Sequence, residues 1–184
     1  MFATNEGASQ ESGSDSDAEV LRLGDLDSQA VADLLSRFEL ELVLVANGAV
    51  IPGSYWGDSE AGVIGSQVYA RADTPLHSIL HEASHLIVLP VERRQQVHTN
   101  ATDSDIEEDA TCYLQIVLAD ALAGLGRARL LADMDAWGYS FRLGNTRAWF
   151  EGDASDARDW LIQQRVLTRH GEVTALLASS SPAD

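Results

Sequence analysis

The segment from Asp73 to Pro90, DTPLHSILHEASHLIVLP, constrains the fold more than any other part of the chain. Pro75 suits the start of a helix, and Pro90 ends the helix or forces its end one residue earlier. At about 100° per residue, the aliphatic side chains fall on one face and the histidines on the opposite face. The segment therefore predicts an amphipathic helix over about residues 75–89 that buries one side and presents histidines to a cleft.

This helix carries the pattern His-x-x-x-His-Glu-x-x-His, formed by His77, His81, Glu82 and His85. Residues four apart share one helix face, so the imidazoles of His81 and His85 can bind one metal ion. Glu82 lies too far round the helix to be a ligand, but it can take a proton from a metal-held water as a general base. His77, one turn earlier, is interpreted as a substrate contact or an exposed residue.

A catalytic zinc site takes three protein ligands and leaves one position open, so a third ligand is required. The best candidate is Glu107, in a second amphipathic helix predicted over about residues 105–123. Its helical phase places Glu107 beside the apolar face and Glu108 towards solvent. The alternative is a capping box formed by Ser104 and Glu107, in which Glu107 only accepts a backbone N–H.

His98 competes with Glu107 as the third ligand, because its spacing from His85 resembles that of SprT-like proteases. It could instead donate a hydrogen bond to the oxyanion of a tetrahedral intermediate, or be an exposed loop residue. Tyr139 is a second candidate for the oxyanion donor, and Glu108 is an alternative ligand. The sequence leaves these alternatives open.

Together, these residues resemble the gluzincin branch of zinc metallopeptidases. The resemblance rests on His81-Glu82-x-x-His85 followed by Glu107-x-x-Ala110. It implies that His81, His85 and Glu107 bind Zn²⁺. It also implies that Glu82 is the general base, that the fold is zincin-like and that the substrate is a peptide or protein. In such enzymes an edge strand binds the extended substrate by strand addition. The corresponding residues here are Val63, Ile64, Gly65 and Ser66.

The remaining sequence predicts an α+β fold, with a small mixed or antiparallel sheet packed on the histidine helix and a mostly helical second half. The sequence DSQAVADLLSRF predicts a helix, and ELELVLVANGAVI predicts a strand, a turn at Asn47-Gly48 and a second short strand. One or two strands follow before residue 71, and two later helices are predicted over about residues 127–137 and 154–168.

The domain boundaries follow from composition. Residues 1–20 are acidic and rich in glycine and serine, and predict a disordered tail. Residues 177–184 predict a flexible end. Residues 21–176 are then predicted to form a single domain, which the resemblance to gluzincins implies is a metallopeptidase domain.

Charge narrows the range of partners. The chain has 29 acidic and 12 basic residues, a net charge of −17, and every basic residue is an arginine. An acidic protein repels phosphate backbones, which argues against nucleic acid as a partner. No apolar run could cross a membrane and no secretory signal is evident, and with the lone Cys112 these features predict a cytoplasmic location.

Three functional hypotheses follow. The first is a zinc peptidase, and the second is a catalytically silent metal-binding protein with a regulatory or interaction role on the same fold. The third is a helical protein in which the histidine pattern arose by chance.

Overall fold

The computed structural model describes residues 19–55, 57–99 and 104–176. The predicted tails lie outside these ranges except for Glu19 and Val20. Val20 is buried, and Arg129 donates a hydrogen bond of 3.0 Å to the carbonyl of Glu19. Glu19 and Val20 therefore make contacts with the residues that follow the predicted boundary at residue 21.

Most of the described secondary structure is helical. The helices are α1 (Ser28–Ser36), α2 (Leu76–Val88), α3 (Val91–Arg94), α4 (Asp105–Leu118), α5 (Gly126–Trp137), α6 (Thr146–Gly152) and α7 (Ser155–Gln163). Five of these match predicted helices, whereas the short α3 and α6 were not predicted. No helix in the described ranges is both long and apolar enough to cross a membrane.

The sheet has three strands, β1 (Glu41–Leu44), β2 (Gly62–Ile64) and β3 (Gln67–Ala70), in the order β1-β3-β2. β1 runs parallel to β3, and β2 runs antiparallel to it through a tight turn at Gly65, whose φ is +60°. The mixed sheet confirms the predicted α+β class. The turn predicted at Asn47-Gly48 is present, whereas the short strand predicted between it and Pro52 is absent from the described structure.

Helix α2 is the element on which the core is built. It contacts α4 and α5 as well as β2 and β3. Its aliphatic residues, including Ile79, Leu80 and Leu86, have no exposed surface. Every residue of α4 from Ala110 to Leu118 is buried, so both faces of this part of the predicted amphipathic helix lie inside the protein. The sequence prediction for α2 is confirmed, and its start lies at Leu76, after Pro75.

The outer edge of β2 is occupied by a later part of the same chain. The N–H of Thr99 donates to the carbonyl of Val63 at 3.1 Å, and the N–H of Gly65 donates to the carbonyl of Val97 at 3.0 Å. The carbonyl of Ser66 accepts from the N–H of Glu41 at 3.0 Å. Ile64 pairs with both β3 and the Val97–Thr99 segment.

The prediction that Val63, Ile64, Gly65 and Ser66 bind a substrate by strand addition is therefore wrong for this edge. Strand addition needs unpaired backbone groups. At Val63, the N–H also donates to the carbonyl of Gly53, at 3.3 Å. The sequence could not reveal this, because the pairing segment lies about thirty residues downstream and has no strand pattern of its own.

Gly62 gives a test of this packing, because a Cβ atom there would lie 2.2 Å from the carbonyl oxygen of Pro52. We expect Gly62→Ala to lower the free energy of unfolding by about 1–3 kcal/mol, measured by urea denaturation. Gly152→Ala is the matched control, since its added Cβ would meet nothing closer than a Leu143 side-chain atom at 3.6 Å. Equal stability of the two variants would contradict the close approach at β2.

Candidate metal centre

Two histidines on α2 converge because they are one helical turn apart. The Nε2 atoms of His81 and His85 lie 3.1 Å from each other. Their rings are 4.6 Å apart between centroids and nearly perpendicular, at 82°. Both nitrogen lone pairs can therefore point at a common position, as a two-histidine metal site requires.

Glu108, in the first turn of α4, completes the cluster. Its Oε1 lies 3.3 Å from Nε2 of His81, and its Oε2 lies 3.5 Å from Nε2 of His85. The ligand atoms of these three residues all lie within 4.8 Å of one another, so the group could hold a metal ion. Within the described ranges, this is the one such group.

The structure corrects the prediction that Glu107 is the third ligand. Oε1 of Glu107 lies 3.1 Å from a guanidinium nitrogen of Arg93, in an ion pair away from the two histidines. Ser104 caps α4 by accepting from the N–H of Glu107 at 3.4 Å, which is the serine half of the capping box that the sequence offered as the alternative. Adjacent helix residues point about 100° apart, so only one of Glu107 and Glu108 can face α2.

A stripe of polar side chains on α4 indicates which face of this helix meets α2, and the position of the apolar face did not show this. Glu108, Thr111 and Gln115 are spaced three and four residues apart and therefore share a face of α4. Thr111 and Gln115 have no exposed surface. Buried polar side chains need polar partners, so this stripe marks the side of α4 that meets the histidines.

The stripe also orients the histidine rings. Nδ1 of His81 lies 2.9 Å from Oε1 of Gln115, and Nδ1 of His85 lies 3.3 Å from the hydroxyl of Thr111. When each Nδ1 carries the proton and donates it to these oxygens, each Nε2 is left with its lone pair towards Glu108. Gln115 is fixed in turn, because its amide donates to the sulfur of Met134 at 2.9 Å.

The pKa values of His81 and His85 are shifted in opposite directions. Burial lowers the pKa of His85, and the charge of His81 lowers it further. Burial also acts to lower the pKa of His81, but Tyr139, Cys112 and Glu108 outweigh it, and the pKa is raised well above its usual value.

Glu82 lies beside this cluster in a protected environment. Burial raises its pKa to about 7; the His81 charge acts against this shift, whereas Glu108 and Glu60 add to it. A carboxyl group with such a pKa can both accept and release a proton near neutral pH.

The cluster and Glu82 open into a cleft of about 660 Å³. Its other lining residues include Glu60, His77, Thr99, Cys112, Trp137 and Tyr139. The ring of Tyr139 lies 6.0 Å from that of His81, and burial raises the pKa of its hydroxyl to about 12. Tyr139 thus remains a protonated donor within the site. Cys112, one turn after Glu108, was not singled out as a site residue from the sequence.

The other sequence candidates fall in different places. His98 is exposed, its Nδ1 lies 2.8 Å from the hydroxyl of Thr99, and it takes no part in the His81, His85 and Glu108 group. His77 is buried rather than exposed, and it does line the cleft.

No family model, no curated protein and no solved structure matches this chain. The cluster is therefore interpreted from its own geometry and chemistry.

Glu108 and Glu107 form a natural pair of variants for a metal-binding test. We expect Glu108→Gln to weaken Zn²⁺ binding by more than the roughly 10–100-fold typical of residues that only support a ligand. Glu107→Gln should leave the affinity within about threefold, because its carboxylate contacts Arg93 instead. Isothermal titration of both variants measures this, and a larger loss for Glu107→Gln would contradict the assignment.

His77 makes the metal-free protein sensitive to acid. Burial, followed by the charges of His81 and Arg22, lowers its pKa from 6.5 to about 3. The unfolded chain then binds a proton below pH 6.5 that the folded chain does not, so stability is lost as the pH falls from about 6.5 towards about 3. Between pH 7 and pH 5 this amounts to about 2 kcal/mol.

We therefore expect His77→Phe, with a chelator present, to lose about 2 kcal/mol less stability than wild type between pH 7 and pH 5. Urea denaturation at the two pH values measures the difference. His170→Phe is the control, because His170 is exposed. Equal acid sensitivity of wild type and His77→Phe would refute the neutral state of His77.

Proposed function

We propose that this protein is a zinc-dependent peptide hydrolase with a zincin-like active site. The observation that supports this most directly is the juxtaposition of three ligand side chains with Glu82 in one cleft. A metal site that only stabilised the fold would be closed by four protein ligands. Here the described residues provide three, and the cluster opens into the cleft.

Zinc fits the donor set. Two imidazole nitrogens and one carboxylate are a known catalytic set for zinc, with the fourth position left for water or substrate. The same donors also occur in iron(II) sites. The adjacent Glu82 favours zinc, because proton transfer to and from water is the step that zinc hydrolases need and oxygenases do not.

In the proposed mechanism, His81, His85 and Glu108 would hold a zinc ion, which when bound would acidify water and polarise a carbonyl oxygen. Glu82 accepts the proton of the attacking water and later delivers it to the departing amine. A bound cation beside Glu82 would lower the pKa of this carboxyl below the value of about 7 that it has without a metal, so the carboxylate form would prevail at neutral pH. The hydroxyl of Tyr139 donates a hydrogen bond to the carbonyl oxygen as its negative charge develops.

The resemblance to gluzincins supports the proposal through His81, Glu82 and His85 alone. The proposed third ligand, Glu108, lies one residue later than the glutamate of the E-x-x-A pattern, and Thr111 rather than an alanine stands three residues after it. This shift separates the chain from the E-x-x-A pattern on which its resemblance to gluzincins rested. Under this proposal the chain has the same types of metal ligand as gluzincins, but its glutamate ligand lies one residue later on the second helix.

Replacing Glu82 tests the hydrolase directly. We expect Glu82→Gln to bind Zn²⁺ with wild-type affinity and to lower kcat on a peptide library by at least about 100-fold, because the amide cannot accept a proton. Mass spectrometry of the digested library measures cleavage. Glu92→Gln is the matched control, since Glu92 is an exposed residue of α3 outside the cleft.

Cleavage at equal rates by wild type and Glu82→Gln would show that the activity has another source. Zinc binding without cleavage of any peptide would instead favour the silent metal-binding protein.

A further inference from the structure

One wall of the cleft carries polar groups of which the proposed hydrolysis uses only the hydroxyl of Tyr139. It consists of Glu60, His77, Trp137 and Tyr139, which we call the Glu60 wall. The indole N–H of Trp137 donates to Oε1 of Glu60 at 3.1 Å. The ring of His77 lies 5.0 Å from that of Trp137 and 5.6 Å from that of Tyr139, so the four side chains form one continuous surface.

His77 is an unsatisfied polar group within this wall. Only 1% of its surface is exposed, and neither ring nitrogen has a hydrogen-bond partner among the residues that the structure describes. Buried polar atoms are nearly always paired, and the exceptions call for an explanation. Because His77 is neutral, one of its ring nitrogens is an acceptor that a ligand in the cleft can satisfy with an N–H group.

The charge of the cleft indicates the kind of ligand. Four carboxylate residues line it, Glu60, Glu82, Glu108 and Asp109, and no arginine does so within the described ranges. Glu82 and Glu108 are used by the proposed catalytic centre, whereas Glu60 is not. Burial is the main cause that raises the pKa of Glu60, so its negative charge is poorly solvated. A cation placed beside it would restore the lost stabilisation of the carboxylate.

On the basis of the proposed peptide hydrolysis, we propose that the Glu60 wall is a specificity subsite for a positively charged side chain of the substrate, arginine or lysine. Glu60 forms the ion pair with the cation, and His77 accepts an N–H from it. Trp137 and Tyr139 supply aromatic rings, which attract cations through their quadrupoles. The subsite thus joins three interactions that neutral side chains cannot make together.

The test uses fluorescent peptides in which arginine, citrulline or norleucine is placed at each position in turn. Citrulline keeps the shape of arginine and removes its charge. Binding is measured by anisotropy with zinc-loaded Glu82→Gln protein, so that it does not depend on cleavage, and hydrolysis is measured with wild type. We expect one position at which arginine binds about tenfold more tightly than citrulline, the factor that corresponds to a partly desolvated cation–carboxylate and cation–π contact.

Glu60→Gln and His77→Phe, each combined with Glu82→Gln, should reduce this preference to less than about twofold. Asp58→Asn is the matched control, because it removes one charge two residues away from Glu60 at a position outside the cleft lining. It should leave the preference unchanged. The control is needed because a chain of net charge −17 attracts any cationic peptide.

The outcomes separate the subsite from the hydrolase. Arginine-selective binding that Glu60→Gln abolishes, without any cleavage by wild type, supports the subsite and contradicts peptide hydrolysis. Cleavage with equal use of arginine and citrulline at every position supports hydrolysis and overturns the subsite. A preference that Asp58→Asn reduces as much as Glu60→Gln, or the absence of peptide binding, also overturns it.

Discussion

The contact between α2 and α4 is the constraint on which the rest of the structure depends. Both helices are deeply buried, yet each carries polar side chains on the face that meets the other. Burying those groups is unfavourable unless they pair, and they pair across the helix interface through His81 with Gln115 and His85 with Thr111. The same pairing fixes the relative rotation of the helices and so places Glu108 beside the two histidines.

The sequence predicted the elements better than it predicted how they meet. Helix α2 was clear, because its aliphatic and histidine faces follow one helical period and prolines stand at its ends. The position of Glu107 was judged from the apolar face of α4, but that face has no fixed relation to α2 when α4 is buried all round. The spacing of Glu108, Thr111 and Gln115 carried the missing information, since buried polar side chains identify the interface that can satisfy them.

The backbone pairing between distant segments of the chain could not be predicted from the sequence either. The segment around His98 joins the edge of β2 through backbone hydrogen bonds, which depend on main-chain position and leave little trace in residue type. The burial of His77 was missed for a related reason. Helical phase placed it on the polar face of α2, and only the fold shows that the aromatic rings of Trp137 and Tyr139 cover that face.

The covered edge of β2 bears on how a substrate would be held. Peptidases that extend a sheet with the substrate gain affinity from the peptide backbone, which every sequence shares, and specificity from pockets for the side chains. Here the segment from Val97 to Thr99 already forms those hydrogen bonds. Under the proposed function, affinity at this edge must come from side chains instead. Such an enzyme would cleave a narrow range of substrates. Assays with generic peptides would therefore underestimate its activity.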